Sequence, residues 1–101
     1  MHIEQTDAFE RWFEKLKDRK AKIRITARLV AIQQSGHFGD HRSVGDGVSE
    51  LRFHFGPGYR VYYTLRGQEL VLLLGGGDKD TQEKDIAKAI ELAQEIEDEE
   101  N

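Results

Sequence analysis

The chain has 101 residues, a mass of 11.6 kDa and a formal charge of -4. It contains no cysteine, which excludes disulfides and thiolate metal sites; no apolar run reaches the ~18 residues that span a bilayer, and the start lacks the charged-then-apolar layout of a secretory signal. A cytoplasmic protein with no membrane partner is expected, and a 38% hydrophobic and 34% charged composition predicts a single domain over residues 1–101 with a small core under a heavily charged surface.

Residues 2–6, HIEQT, favour a strand, and Thr6 or Asp7 is placed to cap a helix whose apolar positions Phe9, Trp12, Phe13 and Leu16 follow the i, i+3, i+4, i+7 spacing of a buried face. After Asp18 and Arg19, the spacing Ala21, Ile25, Leu29, Ile32 predicts a second helix ending near Ser35 and Gly36, where glycine tolerates a left-handed C-terminal conformation. The two helices form a hairpin whose exterior carries eight of the fifteen Lys and Arg residues, a pattern typical of a solvated face. Residues 36–47, GHFGDHRSVGDG, read as an irregular segment. Within it His37, Asp40 and His41 are close in sequence, but two imidazoles on a glycine-rich loop do not define a metal site, and no metal or other cofactor is expected.

Three strands follow, at about 48–55, 59–66 and 69–75. The last is apolar on both faces and belongs inside a sheet. GGGDKD then leads into a final helix with Asp80 at its cap, Glu83 three residues on, and Ile86, Ala89, Ile90, Ala93 and Ile96 as its buried stripe. The order β-α-α-β-β-β-α predicts an α+β fold, an N-terminal helical hairpin packed on a small, mainly antiparallel sheet with a C-terminal helix. Charge is unevenly distributed: residues 1–77 hold twelve basic and nine acidic side chains, residues 78–101 three and ten. The acidic run from about 95 to 101 is expected to fray.

Alternation along the strands sets Leu51, Phe53 and Phe55 on one face and Glu50, Arg52 and His54 on the other. Burial selects an even-sum pairing, through an odd loop or a bulge, in which Phe53 pairs with Val61 and Arg52 with Tyr62. Pro57 and Gly58 suit the middle of a type II turn. Arg52, His54, Arg60 and Tyr62 should then lie side by side on an exposed face, with only Glu50 as a nearby carboxylate. Lys79, a helix N-terminus and Gly75–Gly77 follow the third strand, so an anion is the expected ligand. GGGDKD lacks the GxxxxGK[ST] spacing of a nucleotide-hydrolysing loop, which points to phosphate affinity alone.

ELRFHFGPGYRVYY, followed by VLLLGGGDKDTQEKDIAKAI, resembles the RelE/ParE superfamily of bacterial toxin-antitoxin toxins, in particular its HigB-like addiction module killer branch. The resemblance extends from WFEKLKDRKAKIRITARL through GHFGD and VGDGVSELR to the last helix. It implies a metal-independent endoribonuclease that cleaves mRNA on the ribosome and is neutralised by a cognate antitoxin, often a small helix-turn-helix protein. Arg52, Arg60 and Lys79 stand at basic positions corresponding to those of RelE-type toxins, His54 stands where such sequences can carry lysine, and Asp85 stands near the position of a RelE-type tyrosine. Cleavage by a neighbouring 2'-hydroxyl needs a base, an acid and cations around the phosphorane. In that scheme Arg60 and Lys79 clamp the phosphate, Arg52 stabilises it or donates a proton, and His54 is the base or acid. Tyr62 and Arg66 are candidates for RNA contact. A ParE-like chain that binds gyrase without cleavage, or an antitoxin-binding relic, are the alternative readings.

Overall fold

The protein is described here over residues 1–100 by a computed structural model. Its elements are β1 (His2–Gln5), α1 (Asp7–Lys15), α2 (Arg19–Ser35), β2 (His41–Gly45), β3 (Val48–Arg52), β4 (Arg60–Arg66), β5 (Leu70–Gly77), a single 3-10 turn (Lys79–Thr81) and α3 (Gln82–Glu100). The five strands make one sheet in the order β1-β5-β4-β3-β2, with β1 parallel to β5 and every other pair antiparallel.

The expected helical hairpin forms, and its ends have identifiable causes. The Thr6 hydroxyl accepts from the Phe9 N–H at 3.3 Å and donates to the Leu73 carbonyl at 2.8 Å, so one side chain both starts α1 and ties it to β5. Asp18 caps α2 by accepting from the Ala21 N–H at 3.0 Å, and Gly36 ends it at φ 69°. Phe9, Ile25 and Ile32 pack on one face of the sheet against Leu51, Phe53, Val61, Tyr63, Val71 and Leu73. Val48, Tyr62, Leu72 and Leu74 form the opposite face, covered by Ile86, Ala89, Ile90, Ala93 and Ile96 of α3. Each large side chain fully buried in these layers contributes about 1.5–3 kcal/mol.

Several elements differ from the sequence expectation, and β3 ends at Arg52 rather than near residue 55. Residues 41–45 are a strand, paired with β3 through the hairpin turn at Asp46 and Gly47, whose φ values of 52° and 78° suit an Asp-Gly two-residue connection. The three glycines 75–77 are strand, paired with Tyr62, Val61 and Arg60. They make room for helices: a Cβ at Gly76 would overlap the Trp12 indole, and one at Gly77 would overlap the Asp85 carboxylate. The helix cap is Asp78 rather than Asp80. Where a frayed tail is expected, α3 stays helical to Glu100, which meets Arg66. Among the described residues, no helix is long and apolar enough to cross a membrane.

Candidate functional site

The β3–β4 hairpin sets the site. Its register is even-sum, as burial demands, but displaced by two residues from the expected one: Leu51 faces Val61 and Arg52 faces Arg60, with Glu50 opposite Tyr62. The Phe53 N–H continues the ladder to the Tyr59 carbonyl at 3.0 Å. The turn is closed by Gly58 N–H on the Phe55 carbonyl at 3.0 Å, which puts Gly56 and Pro57, not Pro57 and Gly58, in its middle. With residues 54–58 outside the ladder, this register brings the two arginines directly opposite each other on the α3 side of the sheet.

Each arginine meets a carboxylate. Asp40, just before β2, accepts at Oδ1 from Arg52 Nε at 3.0 Å and Nη2 at 2.7 Å, and its Oδ2 meets His54 Nε2. The hydrogen bond from His54 and then the one from Arg52 hold the Asp40 carboxyl at about 2, below its ordinary 3.8. Arg28, from α2, holds this corner together. Its guanidinium lies 4.3 Å from the Phe53 ring centroid and donates to the carbonyls of Phe38, Asp40 and Arg52 at 3.2, 3.3 and 3.1 Å.

The second carboxylate is Glu50, with no exposed surface. It accepts from Arg42 Nε at 2.7 Å and from Gln82 Nε2 at 3.0 and 3.1 Å, joining β2, β3 and the first turn of α3. Arg60 Nε lies 3.9 Å from the same carboxylate. Two expectations are corrected here. Arg60 is 7% exposed rather than open to solvent, and its Nη1 donates to the Gly58 and Tyr59 carbonyls at 3.0 Å each. Tyr62, expected on an exposed face, is 0% exposed because α3 covers it, so no ring face is open to a nucleic-acid base. Burial first, then the charges of Glu50 and Asp85, push the Tyr62 phenol well up from its ordinary 10.

Lys79 is exposed and sits beside Arg60: its N–H donates to the Pro57 carbonyl at 3.3 Å, and a Cβ on Gly58 would lie 3.3 Å from Lys79 Cβ and 3.6 Å from Arg60 Nη1. The neighbouring helix start does not supply free amides, because Asp78 Oδ1 already accepts from the Asp80 and Thr81 N–H groups at 2.9 and 3.3 Å. Asp85 accepts from the Thr81 hydroxyl at 2.5 Å beneath them. Arg66 lies at the other end of β4, six residues from Arg60 and so about 20 Å away along the strand, where it pairs with Glu100. Arg52, His54, Arg60 and Lys79 are therefore grouped around the hairpin turn, and Arg66 is not with them. No cluster of metal-ligating side chains occurs among the described residues; His41 Nδ1 instead contacts the Gly39 carbonyl at 2.8 Å.

Sequence reasoning placed Glu50 beside the cations but missed its burial, and it missed Asp40 as the partner of Arg52 and His54. The Asp-Gly pair at 46 and 47 is the signal that places β2 beside β3, and with it Arg42 and Asp40 within reach of Glu50 and Arg52.

Residues 11–97 match the family described as Phage derived protein Gp49-like. An uncharacterized protein of Haemophilus influenzae is 50% identical over 96 residues, spanning 95% of this chain and 96% of its own. Among solved structures, a mutant of the E. coli toxin RelE in the free state is similar with a TM-score of 0.70 at 15% identity, over 89% of this chain and 94% of that one. A chain of the intact E. coli RelBE toxin-antitoxin complex gives a TM-score of 0.62 at 15% identity, over 76% and 94%. The fold is RelE-like.

Proposed function

The chain belongs to the phage-derived Gp49-like family, and on that premise we propose that it is the toxin of a type II toxin-antitoxin pair, on the HigB-like addiction module killer branch. Its activity in this reading is metal-independent cleavage of mRNA on the ribosome in the cytoplasm, which stops translation. The partners are a cognate antitoxin, a small helix-turn-helix protein, and the ribosome-bound message.

One observation carries this reading: Arg52 and Arg60 are direct cross-strand partners, and Lys79 reaches the same turn from the other side of Gly58. Three cations from three chain segments gather at this turn, Arg52 and Lys79 within reach of a phosphate and Arg60 buried behind them. The 2'-hydroxyl loses a proton as its oxygen attacks phosphorus, and the 5'-oxygen gains one as it leaves. His54, with 66% of its side chain exposed, is the group for proton transfer. Arg52 and Lys79 stabilise the charge that grows on the phosphorane, and Arg60 adds its charge from behind them. Primer-extension mapping in a translating extract should reveal message cuts that require ribosomes. Lys79→Ala should lower cleavage on the order of 10²-fold while leaving stability within about 0.5 kcal/mol. Cuts that persist unchanged in an Arg52→Ala, Lys79→Ala double variant would remove these residues from the chemistry.

A second reading has support in the carboxylates that face the cations: Asp40 on Arg52 and His54, and Glu50 on Arg60. They suit a chain that binds its antitoxin without cutting. The same extract separates the two, since this chain would leave messages intact; a fall in plasmid supercoiling would instead favour ParE-like action on gyrase.

A further inference from the structure

We propose that Asp40 is the positioning residue for His54: its carboxylate holds the imidazole with Nε2–H turned inward and presents Nδ1 as the nitrogen that exchanges a proton with RNA. This rests on the reading that His54 performs proton transfer.

An isolated carboxylate–histidine contact at a surface would carry little weight, because exposed pairs contribute little and adopt many geometries. Asp40 is held differently. Its backbone carbonyl accepts from the Arg52 N–H at 2.9 Å and from Arg28 Nη1 at 3.3 Å, so the main chain at this position is fixed from two elements. One carboxylate oxygen, Oδ1, is occupied by two nitrogens of Arg52 at 3.0 and 2.7 Å. That fork sets the carboxylate plane and leaves Oδ2 for the imidazole.

The support extends a layer further. Arg28, which grips the Asp40 carbonyl, is itself immobilised by stacking on Phe53 and by the Phe38 and Arg52 carbonyls. Gly39, immediately before Asp40, adopts φ 68° and lies flush against that guanidinium, where a Cβ would come within 3.0 Å of Arg28 Nε. The chain thus carries two separate constraints, a left-handed backbone and a close approach, that place one carboxylate beside one imidazole.

The chemistry follows from which nitrogen faces the anion. A carboxylate only accepts, so the imidazole nitrogen against it carries the proton, and in the neutral ring the lone pair is on the other nitrogen. Nδ1 therefore takes a proton when the ring is neutral and delivers one when it is charged, while Nε2 stays hydrogen-bonded to Asp40 throughout. Arg52 shares the same carboxylate and moves with it, so the phosphate-binding guanidinium and the proton-transfer ring keep a fixed relative position.

Two measurements test this independently. Long-range nitrogen–proton correlation spectra of labelled protein should show neutral His54 as the Nε2–H tautomer, and Asp40→Ala should turn it into a mixture. On ribosome–message complexes Asp40→Ala should slow the cleavage step roughly tenfold to hundredfold, part of the 10²–10⁴ that a placed acid–base group supplies, with half-saturation changed by less than about threefold. In a His54→Ala background the same substitution should cost much less, leaving only the part that acts through Arg52. Asp40→Asn, which retains an acceptor for Nε2–H, should restore part of the rate and serves if the alanine variant does not fold. An Nδ1–H tautomer in the unaltered protein, or an undiminished Asp40→Ala loss when His54 is already absent, overturns the proposal. If the unaltered protein cuts no message, the functional reading fails, and the spectra still decide how Asp40 orients the ring.

Discussion

Replacing Glu50 with alanine should be the most damaging single change at this site, and its size can be worked from the contacts. The lost carboxylate leaves three donors behind. Arg42 is half exposed, so water replaces its partner and the loss is below about 1 kcal/mol. Gln82 loses both oxygens its amide meets at 3.0 and 3.1 Å, a charge-assisted pair of contacts worth about 1.5–3 kcal/mol. Arg60 is the serious case: its side chain is 8% exposed and its Nε already lacks a hydrogen-bond partner, so it becomes a buried charge facing no anion. Breaking a buried pair in this way costs about 3–5 kcal/mol, and the two carbonyls that still hold Nη1 favour the lower figure. These terms overlap, so about 3–4 kcal/mol is expected in total, against the roughly 5–15 kcal/mol that holds an ordinary domain together. For a chain of this length that is a fall in Tm of about 12–30 °C, measurable by circular dichroism and by urea titration of Trp12 fluorescence. Glu50→Leu combined with Arg60→Met, which removes both charges, should recover most of the loss. A Glu50→Ala variant less than about 1 kcal/mol weaker would mean that water reaches Arg60 and that the buried network is not what joins β3 to α3.

Tyr62→Phe should be neutral or stabilising by up to about 1 kcal/mol in urea midpoint, because the buried hydroxyl it removes has no partner; a clear loss would reveal a donor or acceptor that this hydroxyl serves. The Asp40 cross-link should titrate at acid pH. Its folded-state carboxyl, near 2, lies below the ordinary 3.8, so its contribution is complete above about pH 4 and disappears as pH falls towards 2. The stability gap between the unaltered protein and Asp40→Asn should therefore close over that interval, and a gap constant from pH 5 to 2 would contradict the contact with His54 and Arg52. Gly76→Ala should cost about 1–3 kcal/mol and shift Trp12 emission, because the added methyl displaces the indole from β5; an unchanged spectrum would show that α1 does not rest on that glycine.

The elements that the sequence made legible are those whose pattern is local. The α1 stripe of Phe9, Trp12 and Phe13, the α2 cap at Asp18 and the α3 stripe from Ile86 to Ile96 follow from spacing, and each packs as that spacing requires. Face assignment on the hairpin is also local, since a shift of two residues leaves every side chain on its own side; for this reason Arg52 and Arg60 share a face although their register differs from the expected one. Burial of the charged face is not local. Glu50, Arg60 and Tyr62 look like a solvated edge when read along two strands, and only the approach of α3 over Gly77 turns that edge into an interior. β2 escaped notice because its exposed residues, His41, Arg42 and Ser43, have the composition of a loop, as edge strands often do.

The same separation between local and long-range effects resolves the conflict between an acidic chain and the anionic ligand of the proposed function. α2 carries five basic residues and no acidic one, whereas α3 carries eight acidic residues and two basic ones, and the two helices lie on opposite sides of the sheet. Acidity within α3 is itself graded. The run that starts at Glu95 begins thirteen residues after Gln82, about 20 Å along the helix axis, and a Debye length at physiological salt is about 8 Å. Charges at that end are screened from the hairpin turn by more than two such lengths. The field at Lys79 and Arg52 is set by near groups: Asp40, Glu50, Asp78 and Asp85 against Arg28, Arg42, Arg52, Arg60 and Lys79. Among these Arg28 and Lys79 make no ion pair among the described residues, and Arg28 is held by the carbonyls of Phe38, Asp40 and Arg52, so Lys79 is the unpaired cation open to solvent. In the proposed function a phosphate would meet Lys79 first and then compete with Asp40 for Arg52, so binding should weaken with added salt according to these few contacts and respond little to removal of the acidic tail.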